Sequence, residues 1–173
     1  KANLNRGQED ISLVKNTVDL FNNSPKEKIA NFFTSPLFIL GLLAFIILGI
    51  TYKDFKNNTR NRWLDVSIYS ITGIIGLLLL FLWFATDHST THNNYNLLWA
   101  SPLSLFFVFA ISKEHPKSWL KRYAMFQILI LVLMTIHWVT GVQVFAYGLI
   151  PLLIALLIRY VFLVYYFKTN VAR

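Results

Sequence analysis

Five mostly apolar stretches separated by short polar links set the pattern of this chain. They run from about Ser35 to Tyr52, Asp65 to Thr86, Leu97 to Ser112, Tyr123 to Val142 and Phe145 to Tyr166. A bilayer core about 30 Å thick is crossed by roughly 20 apolar residues in a helix, so these stretches predict membrane spans. Pro36 suits the start of the first span, where its missing N–H costs nothing. Gly73 and Gly76 in the second predict a close approach of a neighbouring helix. The third is short and carries Pro102 in its first turns. Ahead of the spans, Ile11, Val14, Val18 and Phe21 recur at helical spacing opposite Lys15 and Asp19. That spacing predicts an amphipathic helix over Asp10–Asn22, lying on the membrane or against a neighbouring domain. Asn22-Asn23-Ser24-Pro25 ends it, and Lys26–Phe33 leads into the first span. The expected fold is all-α: a polytopic bundle of about five transmembrane helices preceded by the amphipathic helix. Its expected segments are 1–33, extracytoplasmic or interfacial; 34–167, transmembrane; and 168–173, a cytoplasmic tail.

Charge orients the bundle. Lys53, Lys56, Arg60 and Arg62 lie in the first link, and Lys113, Lys117, Lys121 and Arg122 in the third. Lys168 and Arg173 follow the last span, with Arg159 expected to snorkel toward the same side. Asp87–Asn96 and the tight connection around Gly141–Val144 hold no Lys or Arg. Cationic links are retained in the cytoplasm, so the N-terminus is expected outside and the C-terminus inside. The net charge of +8 is therefore a topology signal rather than a nucleic-acid footprint, since no basic stripe accompanies a groove-reading element. Only 14% of residues are charged, against about 25% in a soluble domain. With no Cys there is no disulfide framework, thiolate nucleophile or cysteine metal site. The chain opens Lys1-Ala2-Asn3, without Met or signal peptide, and reads as a processed product or a piece of a longer chain.

Chemistry concentrates between Thr86 and Pro102, where Asp87, His88, His92, Asn94, Tyr95 and Asn96 crowd one outward link. An Asp beside a His can orient an imidazole for proton transfer, so Asp87 and His88 are the nearest to catalytic candidates. His137 and Gln143, with Trp138, fall at a similar depth, so a polar cluster of Asp87, His88, Asn94, Asn96, His137 and Gln143 is geometrically allowed. Asp87, Asn94 and Asn96 equally suit capping of helix ends near hydrocarbon. A surface for a partner domain or a lipid headgroup is a third reading. A metal set of Asp87, His88, His92 and His137 matches no standard zinc spacing, and no metal or other cofactor is assigned. His137 beside Trp138 reads as an aromatic-belt residue with an interhelix hydrogen bond. Trp63, Trp83, Tyr95, Trp99, Trp119, Tyr147, Tyr165 and Tyr166 mostly fall near span ends and read as anchors. No Walker, Rossmann or serine-elbow motif occurs.

Ser35-Pro36-Leu37-Phe38, Arg62-Trp63-Leu64-Asp65, Thr72-Gly73-Ile74-Ile75-Gly76, Trp83-Phe84-Ala85-Thr86-Asp87-His88 and Asn94-Tyr95-Asn96-Leu97-Leu98-Trp99-Ala100 follow one another in that order. In these runs the chain resembles the C-terminal membrane region of a Bacteroidetes family similar to that phylum's lipoprotein N-acyltransferases, formerly a domain of unknown function. The resemblance covers about Ser35 to Arg159 and is most specific in the last two runs. It implies an inner-membrane protein in which a periplasmic, cysteine-peptidase-like domain transfers an acyl chain to the N-terminal amine of a lipoprotein. This chain has no Cys and no room for that domain, so none of its catalytic residues carries over. The loop residues Asp87, His88, Asn94, Tyr95 and Asn96 do. The expected function is the membrane half of such an acyltransferase-like protein, lacking its soluble catalytic domain; the alternative is a non-catalytic inner-membrane subunit of a larger envelope complex. Expected partners are membrane lipids and a periplasmic domain or partner protein, with no nucleic acid. A transporter or proton channel is weakened by the lack of acidic residues within the spans.

Overall fold

A computed structural model describes residues 3–6, 9–12, 32–85, 94–114 and 116–170. The chain divides into two units, residues 1–31 and residues 32–173. In the first, strands β1 (Asn3–Arg6) and β2 (Glu9–Ser12) pair antiparallel, Leu4 opposite Ile11 and Arg6 opposite Glu9. This corrects the start of the expected amphipathic helix, because residues 10–12 are in β2 and residues 13–22 lie outside the described residues. In Asn3–Asn5 and in Asp10–Ser12 one apolar residue sits between polar neighbours, the two-residue alternation of a strand.

The second unit is a helical bundle. Helix α1 (Pro36–Asn57) starts at Ser35, whose hydroxyl accepts from the Phe38 N–H at 3.2 Å, with Pro36 in its first turn. It ends at Asn58, whose φ of 51° lies in the left-handed region. The apolar run stops near Tyr52, yet the helix continues through Asp54, which therefore belongs to α1 and not to the link. Helix α2 (Arg62–Ala85) is capped by Asn61, whose side-chain oxygen accepts from the Leu64 N–H at 3.0 Å. Helices α3 (Ser104–Ile111), α4 (Leu120–Val139) and α5 (Ile150–Asn170) complete the unit. Four segments, α1, α2, α4 and Tyr147–Asn170, are long and apolar enough to cross a membrane. The protein is a multi-pass membrane protein.

The third crossing is not a continuous span. Eight residues of α3 rise only about 12 Å, well short of a bilayer core. The chain nevertheless runs the height of the bundle from Tyr95 to Lys113. The Tyr95 N–H donates to Gln143 Oε1 at one end, and the Lys113 carbonyl accepts from Arg60 Nη2 at the other. It does so in two pieces, a 3-10 turn over Tyr95–Leu98 and then α3, with the break at Trp99–Leu103. Pro102 explains the break: it supplies no N–H and steers the preceding residue out of the helical region. Interrupted backbone inside a membrane protein must still satisfy its polar groups. Here short bonds do so, Ala100 N to the Asn96 carbonyl at 3.0 Å and Ser104 N to the Ser101 carbonyl at 3.0 Å.

The break packs on the two glycines of α2. A side chain at Gly76 would collide with the Ala100 carbonyl and lie 2.6 Å from Pro102 N, and one at Gly73 would lie 2.7 Å from Leu105 Cγ. The close approach expected from these glycines is present, and at Gly76 its partner is the irregular backbone of the third crossing. Elsewhere α1 packs against α5 and α4 against α5. Gly148 lies against the start of α1, while the Phe55 and Tyr165 rings meet 5.7 Å apart further along, so α1 and α5 run parallel. Tyr69, Ile111, Leu120, Ala124, Leu156 and Leu163 fill the core. Ser104, Tyr123 and Gln127 put a polar layer across it, the two hydroxyls 3.0 Å apart and Gln127 Nε2 donating to Ser104 Oγ at 3.3 Å. Because overpacking a tight contact costs about 1–3 kcal/mol, Gly76→Ala is expected to lower stability in detergent by at least that amount. Gly41→Ala and Gly49→Ala, where nothing lies within 4 Å of a new Cβ, are expected to leave the midpoint unchanged or slightly raised. Thermal or denaturant unfolding of the three variants checks this.

Candidate functional site

At the end of the bundle away from the Lys/Arg-rich links, the chain re-enters the described residues at Asn94. Asn94 caps the 3-10 turn, its Oδ1 accepting from the Asn96 N–H at 3.1 Å and from Asn96 Nδ2 at 2.8 Å. Asn96 Oδ1 in turn accepts from Trp99 Nε1 at 2.9 Å. From the α4–α5 connection, Gln143 Oε1 takes the Tyr95 N–H at 2.8 Å. The Tyr95 ring then stands 5.1 Å from the His137 ring and meets Trp83 edge-on at 6.4 Å. Gly141, at a φ of +74°, makes the turn that leads the chain back toward Gln143. Five of the seven residues expected at the site, Asn94, Tyr95, Asn96, His137 and Gln143, are thus gathered at one end. Asp87 and His88 lie outside the described residues, as does His92.

His137 Nδ1–H donates to the Leu133 carbonyl of its own helix at 2.8 Å, and its ring packs on the Tyr95 ring of the third crossing. With Nδ1 as donor, Nε2 of the neutral ring is an acceptor. Among the described residues no three metal-type side chains come together. The assembled groups are uncharged donors, acceptors and aromatic faces. They can hold a polar headgroup or a peptide, and the described part carries no nucleophile–base pair.

A second cluster lies nearer the other end. Arg159, from the middle of α5, is fully buried. Its Nε donates to Asp65 Oδ1 of α2 at 2.7 Å and its Nη1 to Asp54 Oδ2 of α1 at 2.7 Å. Nη1 also reaches Thr51 Oγ1 at 3.4 Å, and Nη2 the Asn61 carbonyl at 3.2 Å. The guanidinium stands over the Phe162 ring at 4.8 Å. Arg60 closes the set, 3.8 Å from Asp65 Oδ2, bonded to the Lys113 carbonyl and above the Phe167 ring. Burial pulls the Arg60 guanidinium below its ordinary value, and the Asp65 carboxylate pulls it back up. Two cations and two carboxylates balance, as a charge cluster out of water requires. Arg159 therefore does not snorkel to solvent. Asp54 and Asp65 also correct the expectation that the spans hold no acidic residues.

A family model described as the Lnb transmembrane domain matches residues 27–170. The chain belongs to that family. No curated protein and no solved structure matches it.

In this Lnb transmembrane domain the ion cluster ties α1, α2, the end of the third crossing and α5 at one level. The cluster is hidden in the sequence because the charged neighbours of Asp54 give it the composition of a loop. The available signal was Arg159 itself, a cation nine residues into α5 with apolar residues on both sides. Removing one partner of a buried pair strands the other charge, at roughly 3–5 kcal/mol. Arg159→Ala, which strands two carboxylates, is expected to cost at least that much. Arg159→Lys is expected to recover only part, since an ammonium lacks the planar fork that spans both acids. Equilibrium unfolding in detergent measures both.

Proposed function

We propose that this Lnb transmembrane domain is the membrane-anchoring portion of a periplasm-facing envelope protein. In this reading it is the membrane half of a lipoprotein N-acyltransferase-like protein in a bacterial inner membrane. The N-terminus is periplasmic and the C-terminus cytoplasmic, because the Lys and Arg of the short links gather at one end. That assignment turns the Asn94–Asn96, His137 and Gln143 cluster toward the periplasm. Acyl transfer then belongs to a domain above the membrane, and the bundle supplies a fixed seat for it and for the lipid end of the reaction.

The observation that carries the reading is Trp99. Its indole N–H is held by Asn96 of the polar cluster, while its ring helps line an apolar cleft of about 270 Å³ between α1 and α2. Leu40, Ile47, Ile71 and Leu156 wall the same cleft. A hydrocarbon chain in that cleft would end at the polar cluster, with its head where the periplasmic chemistry occurs. Holding two reacting groups at a fixed separation replaces an encounter in the membrane with a positioned step, and that is where a scaffold accelerates a reaction.

The test is lipoprotein N-acylation by the full-length protein. Gln143→Ala frees the Tyr95 backbone from its anchor and is expected to lower turnover about tenfold or more, equivalent to about 1.4 kcal/mol in the barrier. Thermal stability should stay near wild type. Unchanged acylation in a folded Gln143→Ala protein would contradict the positioning role. Asp87→Asn and His88→Ala distinguish a docking loop from a catalytic one: wild-type turnover in both removes the catalytic version.

A further inference from the structure

The two Lys/Arg-rich links and the last turns of α1 and α5 share one end of the bundle, and a second apolar groove opens on its outer surface there. It lies between α1 and α5, holds about 520 Å³ and is lined by Leu48, Thr51, Phe55, Ile158, Val161 and Tyr165, among others. Thr51 presents no free hydroxyl to it, because Oγ1 donates to the Ile47 carbonyl at 2.7 Å and takes a bond from Arg159. The groove is therefore greasy throughout and borders hydrocarbon, since both of its walls are membrane-spanning helices.

Its mouth is cationic. Lys56 lies in the last turn of α1 and Lys168 in the last turn of α5. The Phe55 and Tyr165 rings, 5.7 Å apart, bring the two turns level; Lys56 follows Phe55 by one residue and Lys168 follows Tyr165 by three, so the lysines lie within about one helical turn of each other in depth. Both are exposed, and neither makes an ion pair among the described residues. An apolar channel that ends between unpaired cations is complementary to one kind of molecule, a chain-bearing anion.

We propose that the α1–α5 groove is a binding site for an anionic phospholipid of the leaflet at this end, with one acyl chain in the groove and its phosphate between Lys56 and Lys168. The site is independent of the acyltransferase reading, which concerns the other end of the bundle. A second copy of the chain is a poorer occupant, because it would bring its own basic links against these lysines. Lysines in last turns also offset the carbonyl ends of their helices. That role does not depend on which lipid is present, and the site does.

Titration of the purified full chain, carried in phosphatidylcholine nanodiscs or detergent, tests this with dioleoyl phosphatidylglycerol against dioleoyl phosphatidylcholine, read by native mass spectrometry and thermal stability. Phosphatidylglycerol is expected to bind about tenfold tighter. Lys56→Gln with Lys168→Gln removes the preference, whereas Lys56→Arg with Lys168→Arg keeps it. Lys117→Gln with Lys121→Gln, in the other basic link, also keeps it. Val161→Trp, which fills the groove, weakens both lipids. Inorganic phosphate alone does not bind or compete. The proposal is overturned by equal binding of the two lipids, or by a full preference in the folded double glutamine variant. It is also overturned by competition from phosphate, which would mean a headgroup site without a groove, or by dimerisation that protects the groove in phosphatidylcholine alone.

Discussion

A guanidinium halfway along a membrane-spanning helix has to find its counter-charges inside the protein. Arg159 finds two, and they come from two other helices. In a medium that offers no water, each carboxylate is tolerable only because the cation is there, and the reverse. This mutual dependence sets the positions of α1, α2 and α5 at one level. Arg60 extends it to the end of the third crossing through the Lys113 carbonyl. Apolar faces alone would leave these helices free to rotate and slide, because lipid tails compete equally well for apolar side chains. The ion cluster removes that freedom.

With α2 fixed, its glycines become informative. Gly73 and Gly76 face the third crossing at backbone distance, Gly73 the first turn of α3 and Gly76 the irregular backbone before it. The break sets Trp99 and Asn96 at the end of the bundle away from the Arg159 cluster, where Gln143 holds the neighbouring Tyr95 by its backbone. One consequence of not packing α1 along α2 is the apolar cleft between them. The polar platform and the hydrophobic cleft share Trp99, and both depend on the same arrangement.

What could be read from the chain is what depends on neighbours in sequence. Apolar run length located the four long helices, Ser35-Pro36 marked the start of α1, and Gly73 and Gly76 marked a close contact. The Asn94-Tyr95-Asn96 run was seen as polar and capping, and the capping bonds are those of a 3-10 turn. What could not be read depends on residues far apart. Asp54 and Arg159 are separated by 105 positions, and no periodicity signals that one will neutralise the other. Charge as a marker of loops misplaces Asp54 and sends Arg159 toward solvent. Pro102 and the shortness of its run did carry the signal of an interrupted third crossing. The strand over Glu9–Ser12 is masked by the longer helical spacing of Ile11, Val14, Val18 and Phe21, although its own alternation is present over Asp10–Ser12.

The dependence of the bundle on one shared charge cluster can be measured as a coupling energy. A double-mutant cycle joining Asp65→Asn and Arg159→Met, followed by unfolding in bilayers or detergent, isolates the pair from the cost of each substitution alone. We expect a coupling of about 2–3 kcal/mol, with the double variant more stable than the sum of the single losses predicts. Strict additivity would contradict the account, for it would mean that Arg159 and Asp65 do not hold each other.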